Sequence, residues 1–277
     1  MRLERIDLYS YFNVKRPENA KGYLNAYIIN QSQEFCAKRL RPAMLVLPGG
    51  GYGFLSDREN EPVALYYLNQ GFNAFALEYS VVTPHYPYQL IEACMAIAYI
   101  RENAVKYNID GQHICSIGFS AGGHLNSMLA TLTGNEVVKE FLGEHAKNCR
   151  PDAVILSYPV ITYVGPHHQG SFDNLTDKDE ELSKALSTET LVDENSVPAF
   201  IWATANDMGV PCESSLYMAL AYKKARVPFE LHIFADGVHG LSLATEEVNT
   251  PNPAASEWKE LCNTWLKSRG FVISKQD

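Results

Sequence analysis

The chain has 277 residues, of which 46% are hydrophobic and 20% charged, a composition that suits one large globular domain and excludes a disordered one. Its 32 acidic and 23 basic residues leave a net charge of −9. With no Lys/Arg cluster to meet phosphates, nucleic acid is excluded as a partner, and no run reaches the roughly 18 apolar residues of a membrane span. Arg2, Glu4, Arg5 and Asp7 break up the N-terminal segment, so it does not read as a secretory signal. Cys36, Cys94, Cys115, Cys149, Cys212 and Cys262 form no C-x-x-C pair. They are expected to be reduced thiols in a cytoplasmic chain.

In chain order, "GYLNAYII" alternates and predicts a peripheral strand. "AMLVLP" (43–48) is a short, wholly apolar run ending in Gly49, Gly50 and Gly51, as expected of a strand buried on both faces. "PVALYYLNQG" predicts a helix entered by Pro62 and stopped by Gly71. "NAFALEY" is a strand, and the run from Tyr88 to Tyr107 reads as one long amphipathic helix. "HICSIG" and "AGGHLNSMLATL" form the next strand and helix. "DAVILSYP" and "AFIWATA" are strands, "SSLYMALAYKKA" a helix, "FELHIF" a strand and "ASEWKELCNTWLKS" a closing amphipathic helix. This alternation predicts an α/β fold, a mostly parallel doubly wound sheet with helices on both faces. Residues 163–197 are polar and too long for an ordinary connection. They are expected to be a lid inserted over the strand ends of a single domain spanning 1–277.

Gly118-Phe119-Ser120-Ala121-Gly122 fits G-x-S-x-G between a predicted strand and a predicted helix. In that setting the serine sits on a strained turn that lifts its hydroxyl above the sheet, while small neighbours let chain segments approach. A serine needs a base, and the base needs an orienting carboxylate. Asp207 follows the strand "AFIWATA" and His239 follows "FELHIF", where an open parallel sheet places functional residues. The catalytic set is therefore Ser120, Asp207 and His239, with Asp236 as a rival acid. His124 reads as a packing residue, His232 as a packed or surface histidine, and His167 and His168 as candidate substrate contacts within the insertion. Gly49–Gly51 can turn N–H groups toward an anion, together with the N–H of Ala121. No His/Cys/Asp/Glu set has zinc-ligand spacing, and G-x-G-x-x-G is absent from the glycine loop. Neither a metal nor a cofactor is expected.

"PGGGY", "SDRENEPVA", "GFSAGGHL", "PDAVILSYPV", the Asp207 segment and "GVHGL" resemble α/β-hydrolase carboxylesterases of the acetyl esterase and acetylxylan-esterase-like group. That group lies near the hormone-sensitive-lipase-type esterases, and the resemblance runs from about Ala43 to Leu243. It implies cofactor-free hydrolysis of short acyl esters, often acetyl groups on sugars. Ser120 would be the nucleophile, His239 the base and Asp207 the orienting acid. Gly50, Gly51 and Ala121 would be the oxyanion donors. Pro48 stands where the lipase-type pattern has a histidine, which leaves open which of Gly50, Gly51 and Tyr52 point at the oxyanion. Arg58 and Glu59 are read as organising their loop, and Tyr52 and His168 as lining the substrate pocket. A general short-chain carboxylesterase, a peptidase and a non-catalytic ligand-binding relative are the alternatives. The expected partner is a small ester, and a homo-oligomer is left open.

Overall fold

The computed structural model describes residues 1–32, 34 and 39–275, so the expectation of a reduced Cys36 lies outside the described residues. The strands are β1 (Arg2–Asp7), β2 (Tyr23–Ile28), β3 (Arg39–Leu47), β4 (Asn73–Glu78) and β5 (Ile109–Phe119). They continue with β6 (Ala153–Ser157), β7 (Ala199–Thr204), β8 (Phe229–Phe234) and β9 (Ser274–Lys275). They form one sheet in the order β1-β2-β4-β3-β5-β6-β7-β8, with β9 pairing against β3. From β4 to β8 neighbouring strands run parallel, whereas β1/β2 and β2/β4 are antiparallel. The expected strand around "GYLNAYII" is thus β2, shielded at the edge by β1. The sequence reading missed β1 because its charged alternation, exposed on one side, carries little apolar signal.

Alternation along the strands builds two cores. Leu45 and Leu47 of β3, with Phe75 and Leu77 of β4, face one side. Met44, Val46, Ala74 and Ala76 face the other, where Trp202 and Trp258 stack with centroids 5.1 Å apart. Successive side chains of a strand point to opposite faces, so a strand covered by helices on both sides must be apolar throughout.

The helix Tyr88–Glu102 differs from expectation. It is buried from Gln89 through Ile100 rather than on one face, because the N-terminal segment packs over its outer side. Tyr9 donates to Glu92 Oε1 at 2.9 Å. Burial pushes the Glu92 carboxyl up to about 7, against the hydrogen bonds from Ser80 and Tyr9. The apolar period then breaks at Asn103, and a separate short turn of helix covers Ala104–Tyr107.

Two glycines hold the centre of the sheet together. A Cβ on Gly122 would overlap the carbonyl oxygens of Leu47 and Pro48, and one on Gly118 would overlap the Gly122 carbonyl. The helix Ala121–Thr131 can lie this close to β3 and β5 only because both side chains are absent. Backbone atoms cannot move aside as a flexible side chain can. Gly122→Ala is therefore expected to cost about 3 kcal/mol or more, a fall in Tm of about 6–12 °C. A thermal melt checks this, and an unchanged Tm would contradict the packing.

Candidate active site

The chain runs from β3 out to β4 and returns to β5 on the other side of β3. That reversal opens a crevice at the strands' C-terminal ends, where open parallel sheets hold their sites. Ser120 directly follows β5 and caps the helix Ala121–Thr131 with φ 53° and ψ −118°. A non-glycine residue pays on the order of 1–3 kcal/mol for such a backbone and needs firm support to keep it. Support is present. The Ser120 N–H donates to the Ser157 carbonyl at 3.0 Å, while its own carbonyl accepts from His124 at 3.1 Å and Val160 at 3.0 Å.

Ser120 Oγ lies 2.8 Å from His239 Nε2, and His239 Nδ1 lies 2.7 Å from Asp207 Oδ2. The other Asp207 oxygen accepts from the Gly209 and Val210 N–H groups at 2.8 and 3.1 Å. These bonds hold the carboxylate at one angle, so that it can accept from Nδ1–H and leave Nε2 free to take a proton. The Asp207 side chain is 1% exposed and that of His239 29%, so Asp207 is sealed while His239 reaches the cavity. Gly209 makes this approach feasible, since a Cβ there would sit 2.7 Å from His239 Cγ.

Ser120, His239, Gly50, Gly51, His168 and Asn174 border a cavity of about 380 Å³. Gly50 and Gly51 have φ of 123° and 60°, conformations open to glycine. Ala121 is the first residue of the helix, so its N–H belongs to the positive end of the helix dipole. The Gly49 N–H is instead taken by Glu59 Oε2 at 2.8 Å. A larger depression of about 1090 Å³ near Thr131 and Lys139 is lined by no histidine or cysteine.

The remaining expectations sort by geometry. Tyr52 is a correction: it is fully buried, not pocket-lining. Its backbone at φ 56° turns the ring inward, and its hydroxyl meets His124 Nδ1 at 3.0 Å. His124 Nε2 donates to the Leu186 carbonyl at 2.8 Å, so Nδ1 is the acceptor for Tyr52. Burial brings the His124 pKa down to about 4 and keeps it neutral. This histidine ties the glycine loop to the inserted segment.

His168 does face the cavity. Its Nδ1 accepts the Ser171 N–H at 3.2 Å, which leaves Nε2–H as the donor. Burial and the neighbouring His239 and His167 lower its pKa. His167 bonds Gly165 and Gln169 beside it, His232 bonds Glu230, and Asp236 bonds Asn206 at 3.0 Å. Residues 163–197 contain helices Gln169–Thr176 and Glu180–Ala185, which were not anticipated in that polar stretch. Sequence reasoning also missed Asn174, which donates to the Gly51 carbonyl at 2.9 Å, and Tyr158, whose ring meets His239 edge-on at 5.2 Å. Tyr158 lies within the segment "PDAVILSYPV" but is given no role there, and Asn174 lies in the polar insertion, where no spacing marks it. Among the described residues, no three His, Cys, Asp or Glu side chains converge as metal ligands, and no helix is long and apolar enough to cross a membrane.

A central parallel sheet, a serine on a positive-φ strand-to-helix turn, and an acid and a base on the next strand ends define an α/β-hydrolase fold. Residues 33–222 match the BD-FAE family, and the chain belongs to it. It is 41% identical over 215 residues to endo-1,4-beta-xylanase B of Butyrivibrio fibrisolvens, covering 75% of this chain and 33% of that protein. It is 31% identical over 215 residues to an acetylxylan esterase of Xylanibacter ruminicola, covering 73% of this chain and 42% of that protein. The chain thus spans well under half the length of both curated relatives. Among solved structures, it is similar to an acetyl ester-xyloside bifunctional hydrolase of Caldicellulosiruptor lactoaceticus, with a TM-score of 0.81, 36% identity and 97% of both chains covered. A carboxylesterase of Lactobacillus plantarum has a TM-score of 0.84 and 29% identity, with 99% of this chain and 100% of that one covered.

Proposed function

We propose that the chain is a serine carboxylesterase that removes short acyl groups, chiefly acetyl groups on sugars or xylo-oligosaccharides. The in-line contact of Ser120, His239 and Asp207 at 2.8 and 2.7 Å beside the glycine loop carries this reading. Ser120 Oγ attacks the ester carbonyl as its proton passes to His239 Nε2, and Asp207 stabilises the imidazolium. The developing oxyanion is held by N–H groups of Ala121 and of Gly50 or Gly51. The tetrahedral adduct collapses, His239 returns the proton to the leaving alcohol, and an acyl-serine remains. Water activated by His239 then releases the acid.

A cavity of about 380 Å³ lies near the lower end of ligand-pocket volumes, which favours a short acyl chain. The names of the xylan-related relatives favour a sugar as the alcohol. The Lactobacillus carboxylesterase keeps a second reading in view, a general short-chain carboxylesterase. Residues 163–197 act in this reading as a lid, with His168 Nε2–H as a donor toward substrate, on a single domain built around one continuous sheet. Cys94, Cys115, Cys149, Cys212 and Cys262 are free thiols, which fits a cytoplasmic site of action.

A kinetic panel tests the proposal. Acetate should be released from acetylated xylo-oligosaccharides, and kcat/KM should fall from acetyl through butyryl to octanoyl p-nitrophenyl esters. The same fall with chain length but no release from the oligosaccharides would favour the general short-chain esterase, and equal rates on octanoyl esters would count against both readings. Failure of an organophosphonate to label Ser120 would remove serine catalysis altogether.

A further inference from the structure

Glu59 is a buried carboxylate beside the site with no part in the acyl transfer above. It is 3% exposed and borders the same cavity as Ser120 and His239. Each of its oxygens meets one protein donor, the Gly49 N–H at Oε2 at 2.8 Å and the Tyr158 hydroxyl at Oε1 at 2.7 Å. The Tyr158 oxygen accepts the Ser242 N–H at 2.7 Å, so its own proton points to Glu59. Two donors aimed at two oxygens fit the ionised form. Burial raises the Glu59 pKa, and the Tyr158 and Gly49 bonds, Arg58 and a protonated His239 act against that rise, favouring the ionised form.

Position turns this anion into more than a prop. A Cβ on Gly49 would lie 2.6 Å from Glu59 Oε2 and 3.0 Å from Ser120 Cβ, so carboxylate, glycine loop and nucleophile share one contact. Ser242, at the far end of the Tyr158 bridge, lies three residues beyond His239 on the base loop. We propose that Glu59 is a positioning residue that locks the glycine loop to the base loop and whose fixed charge favours the His239 imidazolium formed when Ser120 attacks. Glu59 gives up and takes up no proton; the proton moves only between Ser120 Oγ and His239 Nε2. The charge acts mainly after His239 has become a cation, which is the condition for lowering a barrier rather than binding substrate uniformly.

The groups facing His239 are Asp207 from the loop after β7, Glu59 and Arg58 from the loop after β3, His168 from the inserted segment and Tyr158 from the end of β6. Without Glu59, Arg58 remains on that side as an uncompensated positive charge. The inference rests on the acyl-transfer reading, and its test is separable from it. Wild-type turnover and phosphonate labelling of Ser120 judge the reaction, whereas Glu59 variants judge this role.

The experiment measures kcat and KM for p-nitrophenyl acetate across pH in wild type, Glu59→Gln and Glu59→Asp, with folding checked by circular dichroism. Glu59→Gln should lower kcat on the order of 10- to 100-fold with KM within about threefold. It should also move the acid limb of kcat/KM to lower pH, because the imidazolium loses a favourable charge. Glu59→Asp keeps the charge, so its acid limb should stay at the wild-type position and part of the kcat should return. A Gln variant with near wild-type kcat overturns the proposal. So does one that loses kcat with its acid limb unmoved, or one that does not fold, since each leaves Glu59 at most a structural support.

Discussion

Ser120→Ala is expected to lower kcat by about 10⁶-fold while the protein melts within a few degrees of wild type. On the proposed mechanism, removing Oγ deletes the atom that would form the acyl-enzyme bond and leaves His239, 2.8 Å away, with no nucleophile to activate. Residual turnover of about 10³–10⁴-fold over water should survive, because the glycine loop and the N-terminus of the helix Ala121–Thr131 would still be in place to hold an oxyanion. The fold should survive because the strained turn is held by backbone bonds to Ser157, His124 and Val160, none of which involves the hydroxyl. Steady-state kinetics and a thermal melt check both halves. A kcat near wild type would sink the assignment of Ser120.

Asp207→Asn should cost about 10⁴-fold in kcat with the fold intact. The amide oxygen can still accept from the Gly209 and Val210 N–H groups, the bonds that orient the wild-type carboxylate. That places the amide NH₂ against His239 Nδ1, which must then accept instead of donate. The tautomer reverses, Nε2 carries the proton, and it can no longer take one from Ser120. Glu59 cannot substitute, because its two oxygens are occupied by Gly49 and Tyr158 and it makes no bond to the ring. A fall of less than about 10-fold would show that Asp207 does not set the tautomer.

Much of this arrangement is legible in the amino-acid sequence. The nucleophile turn was legible because its requirements are local: a strand, small residues two positions either side of Ser120, and a helix. Asp207 and His239 were legible because each follows an apolar strand closely in sequence. Other features depend on segments that meet only in the folded chain. The Glu59–Tyr158–Ser242 bridge joins three loops, and no periodicity links them. Tyr52 beside the glycines looked like a pocket residue, yet its positive φ buries it against His124. The helix Tyr88–Glu102 read as one-sided because its outer cover, Tyr9 and the residues around it, lies some 80 positions earlier in the chain. The helices of 163–197 were masked by their polar composition, since their few buried anchors, such as Phe172 and Leu175, are spaced too thinly to set a period.

The amino-acid sequence by itself determined the alternating α/β plan, the doubly covered parallel strands and the placing of Ser120, Asp207 and His239 just beyond strand ends. Period, glycine placement and strand-end position are short-range properties that survive in one dimension. Only the tertiary structure decided which N–H groups of the glycine loop stay free, that Asp207 rather than Asp236 meets the base, and that a second buried carboxylate stands behind it. Those outcomes depend on angles and distances of a few ångströms between segments far apart in the chain, where hydrogen-bond geometry and burial, not residue type, choose among the candidates.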